Sequence, residues 1–109
     1  MIDYTPDRWV IVHLLNEGEN YYKVLAGWSG GYLGSDRWRM NSGISRIEVD
    51  GDFYLFHGYS GSVYRCHKEA YGMTSLMSSV VNKIVDRFPG QIKVLDEFNP
   101  STILEMSDE

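Results

Sequence analysis

The chain has a single cysteine, Cys66, no apolar run long enough to cross a membrane and no surplus of basic side chains. One cysteine excludes an internal disulfide and fits a reducing compartment. Beside it stand only His13, His57 and His67, with no paired spacing, so cysteine and histidine alone cannot assemble a structural zinc cluster. A spanning helix needs about 20 consecutive apolar residues. No stretch approaches that, and no membrane association is expected. The opening Met1-Ile2-Asp3-Tyr4-Thr5-Pro6-Asp7 carries acid where a signal peptide carries base, so the expected location is the cytoplasm. Ten basic against fifteen acidic residues leave a formal charge of −5, which opposes long-range attraction to duplex nucleic acid or anionic lipid.

Several chemical motifs are missing too. There is no Walker lysine pattern and no G-x-G-x-x-G opening a helix after a strand. Gly58-Tyr59-Ser60-Gly61-Ser62 ends in serine where a nucleophile elbow requires glycine, and strand-like residues follow it instead of a helix. Glu48, Asp50 and Asp52 cluster around a turn without the ligand intervals of a calcium loop. No cofactor is implied, no catalytic constellation is assigned, and the expectation is a protein that is not an enzyme. Cys66 reads as a small buried apolar group.

What is present fits one globular domain over residues 1–109: a length that buries a single core, with 43% apolar and 23% charged residues. The chain nearly repeats itself. Tyr22-Lys23-Val24-Leu25-Ala26-Gly27-Trp28-Ser29-Gly30-Gly31 is echoed 31 positions later by Phe53-Tyr54-Leu55-Phe56-His57-Gly58-Tyr59-Ser60-Gly61-Ser62. Each copy is an aromatic-led strand that breaks into Gly-aromatic-Ser-Gly.

Residues 9–15 form an apolar, β-branched run that stops at Asn16-Glu17-Gly18-Glu19-Asn20, and residues 21–28 return, which predicts a hairpin. Residues 44–49 and 53–58, joined by Asp50-Gly51-Asp52, predict a second. Residues 62–66 make a fifth strand pairing back on the fourth, and residues 91–95 a last edge strand. Between them the period changes. Met77, Val80, Val81, Ile84 and Phe88 share one helical face over 74–88, with Thr74 or Ser75 as N-cap and Pro89-Gly90 as the stop. Beyond Phe98-Asn99-Pro100, Ile103, Leu104 and Met106 are expected to pack back. The fold expected is α+β: an antiparallel sheet of about five strands, two hairpins plus edge strands, with one C-terminal amphipathic helix on a face. The expected core includes Val10, Val12, Val24, Leu55, Val80, Val81 and Ile84.

The segment 29–43 is long, aperiodic and rich in contact residues, including Tyr32, Arg37, Trp38 and Arg39 among four glycines. Aromatic rings and guanidinium groups in a long loop are the composition of an interface hot spot. Against this, Trp38 can equally serve as a core anchor, because large aromatics are usually mostly buried. The candidate binding residues are Trp28, Ser29, Gly30, Gly31, Tyr32, Arg37, Trp38, Arg39, Tyr59 and Ser60. A second use of the same loops is open: N–H groups of the Gly-Gly turn forming a nest for a nucleotide or other small anion, with a ring to stack a base.

The blocks Trp9-Val10-Ile11-Val12, Gly27-Trp28-Ser29-Gly30-Gly31, Trp38-Arg39-Met40-Asn41-Ser42-Gly43-Ile44, Tyr54-Leu55-Phe56, Ser60-Gly61-Ser62-Val63-Tyr64 and Cys66-His67-Lys68 before Tyr71-Gly72 carry a resemblance. The stretch 9–71 resembles a group of short uncharacterised proteins encoded by tailed bacteriophages. The resemblance implies a setting, the cytoplasm of an infected bacterium, and an accessory protein that acts by binding a host or phage protein. It implies no activity. The function expected is therefore a small binding protein with a protein partner, the alternative being a module for a small anionic ligand; self-association through the same surface is also open.

Overall fold

The computed structural model describes residues 2–30 and 36–98. Among them, eight strands and one α-helix follow in the order β1 (Ile2–Tyr4), β2 (Arg8–Asn16), β3 (Glu19–Trp28), β4 (Arg37–Met40), β5 (Ile44–Asp50), β6 (Phe53–Gly58), β7 (Ser62–His67), α1 (Ser75–Arg87) and β8 (Ile92–Val94), with a single 3-10 turn at Lys68–Ala70 before α1. The strands form two four-stranded sheets, one ordered β4-β3-β2-β8 and the other β1-β7-β6-β5. Each is an antiparallel three-stranded meander extended by one strand from the far side of the chain. β8 adds antiparallel to β2, and β1 adds parallel to β7.

The run Trp9-Val10-Ile11-Val12 is apolar at every position because both of its faces are covered. Successive side chains of a strand point to opposite faces, so only a strand buried on both sides loses its alternation. Trp9 and Ile11, with Val24 and Ala26 of β3, pack against Tyr54, Phe56, Tyr64 and Cys66 of the second sheet. Val10, Val12 and Leu25 turn the other way, toward Met77 of α1. The first sheet is thus the central layer, with the second sheet outside it on one side and α1 on the other. Tyr71 ties the layers: its hydroxyl accepts the Ile11 N–H at 3.1 Å and donates to the Leu95 carbonyl at 2.5 Å, while its ring stands edge-on to Trp9.

Local signals account for the turns and the cap. β2 and β3 are joined by Glu17 and Gly18, both at positive φ (53° and 82°), the two-residue turn whose twist matches that of the strands. Thr74 caps α1, its hydroxyl oxygen accepting the Met77 N–H at 3.1 Å. Phe88 closes the last turn, its N–H bonding to the Ile84 carbonyl.

Both expected hairpins, the strand after the second one, the helix and the strand beyond it are present. The single sheet of about five strands is corrected to two sheets of four. β1 is too short to carry a period, and β4 lies inside the segment read as aperiodic. The helix is not the last element, since β8 follows it. Of the expected core, Val10, Val12 and Val24 are buried, whereas Leu55, Val80, Val81 and Ile84 are half-buried. Leu55 shares the solvent face of the outer sheet with Glu48 and Arg65, its cross-strand partners. On α1 the fully buried side chain is Met77. Ile103, Leu104 and Met106 lie outside the described residues. No helix among the described residues is long and apolar enough to cross a membrane.

Candidate functional site

The echoed segments are β3 and β6 with the breaks that follow them, each the middle strand of a meander in its own sheet. The segment after β3 contains β4, an edge strand of the central sheet. Its register sets Arg37 opposite Trp28, Trp38 opposite Gly27 and Arg39 opposite Ala26. Paired residues share a face. Arg37 and Arg39 therefore look toward the outer sheet, as Ala26 does, and Trp38 looks toward the α1 side.

On the outer-sheet side β4 borders a cleft of about 270 Å³ whose walls include Tyr4, Trp28, Arg37 and Arg39. The indole N–H of Trp28 donates to the Thr5 carbonyl at 3.0 Å, fixing the ring plane. The Arg37 guanidinium lies 5.9 Å from the centroid of that ring. Ala26 is small, and Arg39 extends past it to lie 4.6 Å over the Tyr4 ring. Tyr4 in turn packs on Tyr64 at 5.0 Å and meets Trp28 edge-on at 6.2 Å. Two guanidinium groups are thus held over rings that link both sheets. Burial pushes the Tyr64 phenol up to about 12, with the nearby charge of Arg39 working against that shift.

The ion pairs among the described residues are Arg46 and His57 with Glu48, and Arg65 with Asp50. Neither Arg37 nor Arg39 has a carboxylate within pairing distance among these residues. Asp3 lines the same cleft without reaching either. Trp38 is 44% exposed, so it is not a core anchor.

The remaining candidates are placed as follows. The Ser29 N–H donates to Asp7 Oδ2 at 2.8 Å and the Gly30 N–H to Asp36 Oδ1 at 2.9 Å. Gly31 and Tyr32 lie outside the described residues. Tyr59, 70% exposed, rests its ring on Gly43, where a side chain would come within 2.9 Å of it. The Ser60 N–H donates to Ser42 Oγ at 2.9 Å, and the Gly61 N–H to the Gly58 carbonyl. Ser42 stands two residues past the end of β4. The second loop therefore adjoins the far end of the strand whose near end holds Arg37 against Trp28, and it does not line the cleft.

His57, Ser60 and Cys66 are not brought together. His57 bonds Glu48 Oε1 at 2.7 Å on the solvent face of the outer sheet, while Cys66 sits beside Tyr54 on the buried face. Burial drives the Cys66 thiol far up from its ordinary range, which makes it a poor nucleophile.

Sequence reasoning missed Tyr4, which gives Arg39 its platform, and missed an apolar groove of about 610 Å³ between the second half of α1 and the central sheet, lined in part by Leu14, Lys23, Met40, Val81 and Ile84. The signal for the groove was the helix stripe itself, which is longer than the sheet covers. Comparison of the chain with protein-family models, with curated proteins and with solved structures finds no match.

Proposed function

We propose that this chain is a small non-enzymatic binding protein that presents the β4 edge, Arg37-Trp38-Arg39 together with Trp28, to a partner protein. One observation carries the reading. Two guanidinium groups with no acidic partner among the described residues are held over aromatic rings beside an exposed tryptophan, on a strand at the edge of its sheet. An arginine held by a ring loses less freedom when it binds, and exposed Trp and Arg side by side are the usual anchors of interfaces. Among the described residues, the backbone N–H groups of Ser29, Gly30 and Ser60 in the two Gly-aromatic-Ser-Gly breaks are engaged by the chain's own oxygens, so a small anion would have to displace Asp7, Asp36 or Ser42 to use them. The resemblance to phage-encoded proteins makes a host or phage protein, in the cytoplasm of an infected bacterium, the partner class of this reading.

The test is the double variant Trp38→Ala with Arg39→Ala. Both side chains are exposed, so a cooperative melt close to wild type is expected. Anchors of this kind contribute about 2 kcal/mol or more each, enough together to remove a micromolar complex from a pull-down. Capture from bacterial lysate should be lost. A folded double variant that still captures the wild-type partner eliminates the β4 edge and leaves Tyr59 and Ser60 as the next surface to test.

A further inference from the structure

We propose that the β4 edge takes up an extended segment of the partner protein as an added strand, and that this segment carries carboxylates at alternate positions around an apolar residue. The inference rests on the reading of β4 as the recognition surface and names the chemistry of what binds there.

Backbone geometry sets the register. The Asn41 N–H bonds to the Val24 carbonyl, and the Gly27 carbonyl accepts from Asp7 on the opposite side of β3. In an antiparallel ladder, inward and outward hydrogen-bonding residues alternate. Counting back from Asn41, Arg39 and Arg37 bond inward to β3, while Trp38 and Met40 turn their N–H and C=O groups to the side on which no described strand pairs. An incoming strand would thus exchange its hydrogen bonds with Trp38. Its residues opposite Arg37 and Arg39 would occupy the non-hydrogen-bonded positions, where side chains approach most closely.

Side-chain chemistry sets the sequence of that strand. The residue opposite Trp38 shares the face of the indole and is apolar. Its two neighbours share the face of the guanidinium groups and are acidic, because Arg37 and Arg39 have no carboxylate of their own among the described residues. Rings hold both arginines in place, and a planar guanidinium favours a carboxylate that accepts two hydrogen bonds. Addition of a strand to an open sheet edge is an established mode of peptide recognition, with backbone bonds giving affinity and alternate side chains giving specificity.

The experiment titrates the full chain with capped seven-residue peptides at low salt, reading tryptophan fluorescence and β4 amide shifts. The probes are Thr-Glu-Val-Glu-Val-Glu-Thr, its lysine counterpart, a scrambled peptide with the three acids adjacent, and a version with both valines replaced by proline. The alternating acidic peptide should bind at least about tenfold more tightly than each of the others, in line with charge-assisted hydrogen bonds at fixed positions. Arg37→Gln with Arg39→Gln should remove the preference over the lysine and scrambled peptides. Equal binding of the scrambled or proline peptide would overturn strand addition, and equal binding of the lysine peptide would overturn the acidic assignment. If no peptide binds while Trp38→Ala with Arg39→Ala still abolishes capture, the partner chemistry falls and the β4 surface stands. The chain's own Glu48-Val49-Asp50 on the β5 edge fits the same pattern. A wild-type oligomer dissolved by Glu48→Lys with Asp50→Lys would make a second copy the occupant and overturn the assignment to a partner protein.

Discussion

Gly27 of β3 lies directly beneath Met77 of α1, so close that a Cβ on Gly27 would stand 2.3 Å from Met77 Sδ and 2.7 Å from Cγ. The glycine is what lets the helix settle on the central sheet. Gly27→Ala should cost about 1–3 kcal/mol, the usual range for overpacking a full core. Gly27→Ala with Met77→Ala should lose less than the two single variants add up to, because Met77→Ala removes the clash that the new methyl creates and that methyl fills part of the space Met77 leaves. Urea unfolding of the three variants checks this, and additive losses would mean that the helix seats elsewhere.

Met77 and Val81 lie on the same helical stripe but differ in burial, Met77 being fully enclosed and Val81 half-buried beside the apolar groove. Met77→Asp should unfold the protein or cost several kcal/mol, roughly the penalty of an unpaired buried carboxylate. Val81→Asp should cost about 1–2 kcal/mol, since its carboxylate can reach water. Melting temperatures of the pair test the order.

Asn41 is buried at the end of β4, where Oδ1 accepts the Val24 N–H at 2.9 Å and the Gly43 N–H at 3.3 Å. It continues the ladder with a side chain where the backbone departs. Asn41→Ala strands both donors and should destabilise the protein by about 1–3 kcal/mol. Exchange of the Val24 amide should accelerate in step, and an unchanged exchange rate would show that its bond is made elsewhere.

Stability should be lost at alkaline pH. Burial raises the phenols of Tyr71 and Tyr64, the latter to about 12, and raises the Cys66 thiol further from its ordinary value. A folded-state value above the unfolded one means that the fold favours the protonated form. The contribution is complete below the unfolded values, about 8.5 for a thiol and 10 for a phenol, and is lost as pH rises through the folded ones. Urea midpoints should hold between pH 7 and about 8.5 and fall steeply by pH 11, with Cys66→Ala softening the early part of the fall. A thiol reagent should reach Cys66 at the rate of unfolding. Faster labelling of the native protein would contradict its burial.

Much of the fold is written locally. Asn16-Glu17-Gly18-Glu19 and Asp50-Gly51-Asp52 mark their turns by residue type, Thr74 marks the start of α1, and the strands on either side of each turn are apolar enough to stand out. These choices are settled within a few residues by backbone sterics and capping, and sequence alone determined them. Which layer covers which face was not local. The run 9–12 announced burial on both sides, but only the stacked sheets show that Trp9 meets Phe56 and Val10 faces the Met77 side. Arg37-Trp38-Arg39 stood out as contact residues, yet their strand was invisible, because an edge strand exposed at most positions keeps neither a buried face nor a clean alternation. The tertiary structure separated Trp38 from its two arginines, placed Tyr4 under Arg39, and gave Gly27 its reason in a helix residue 50 positions away. Packing between distant segments depends on how whole elements stack, and no window of sequence carries that information.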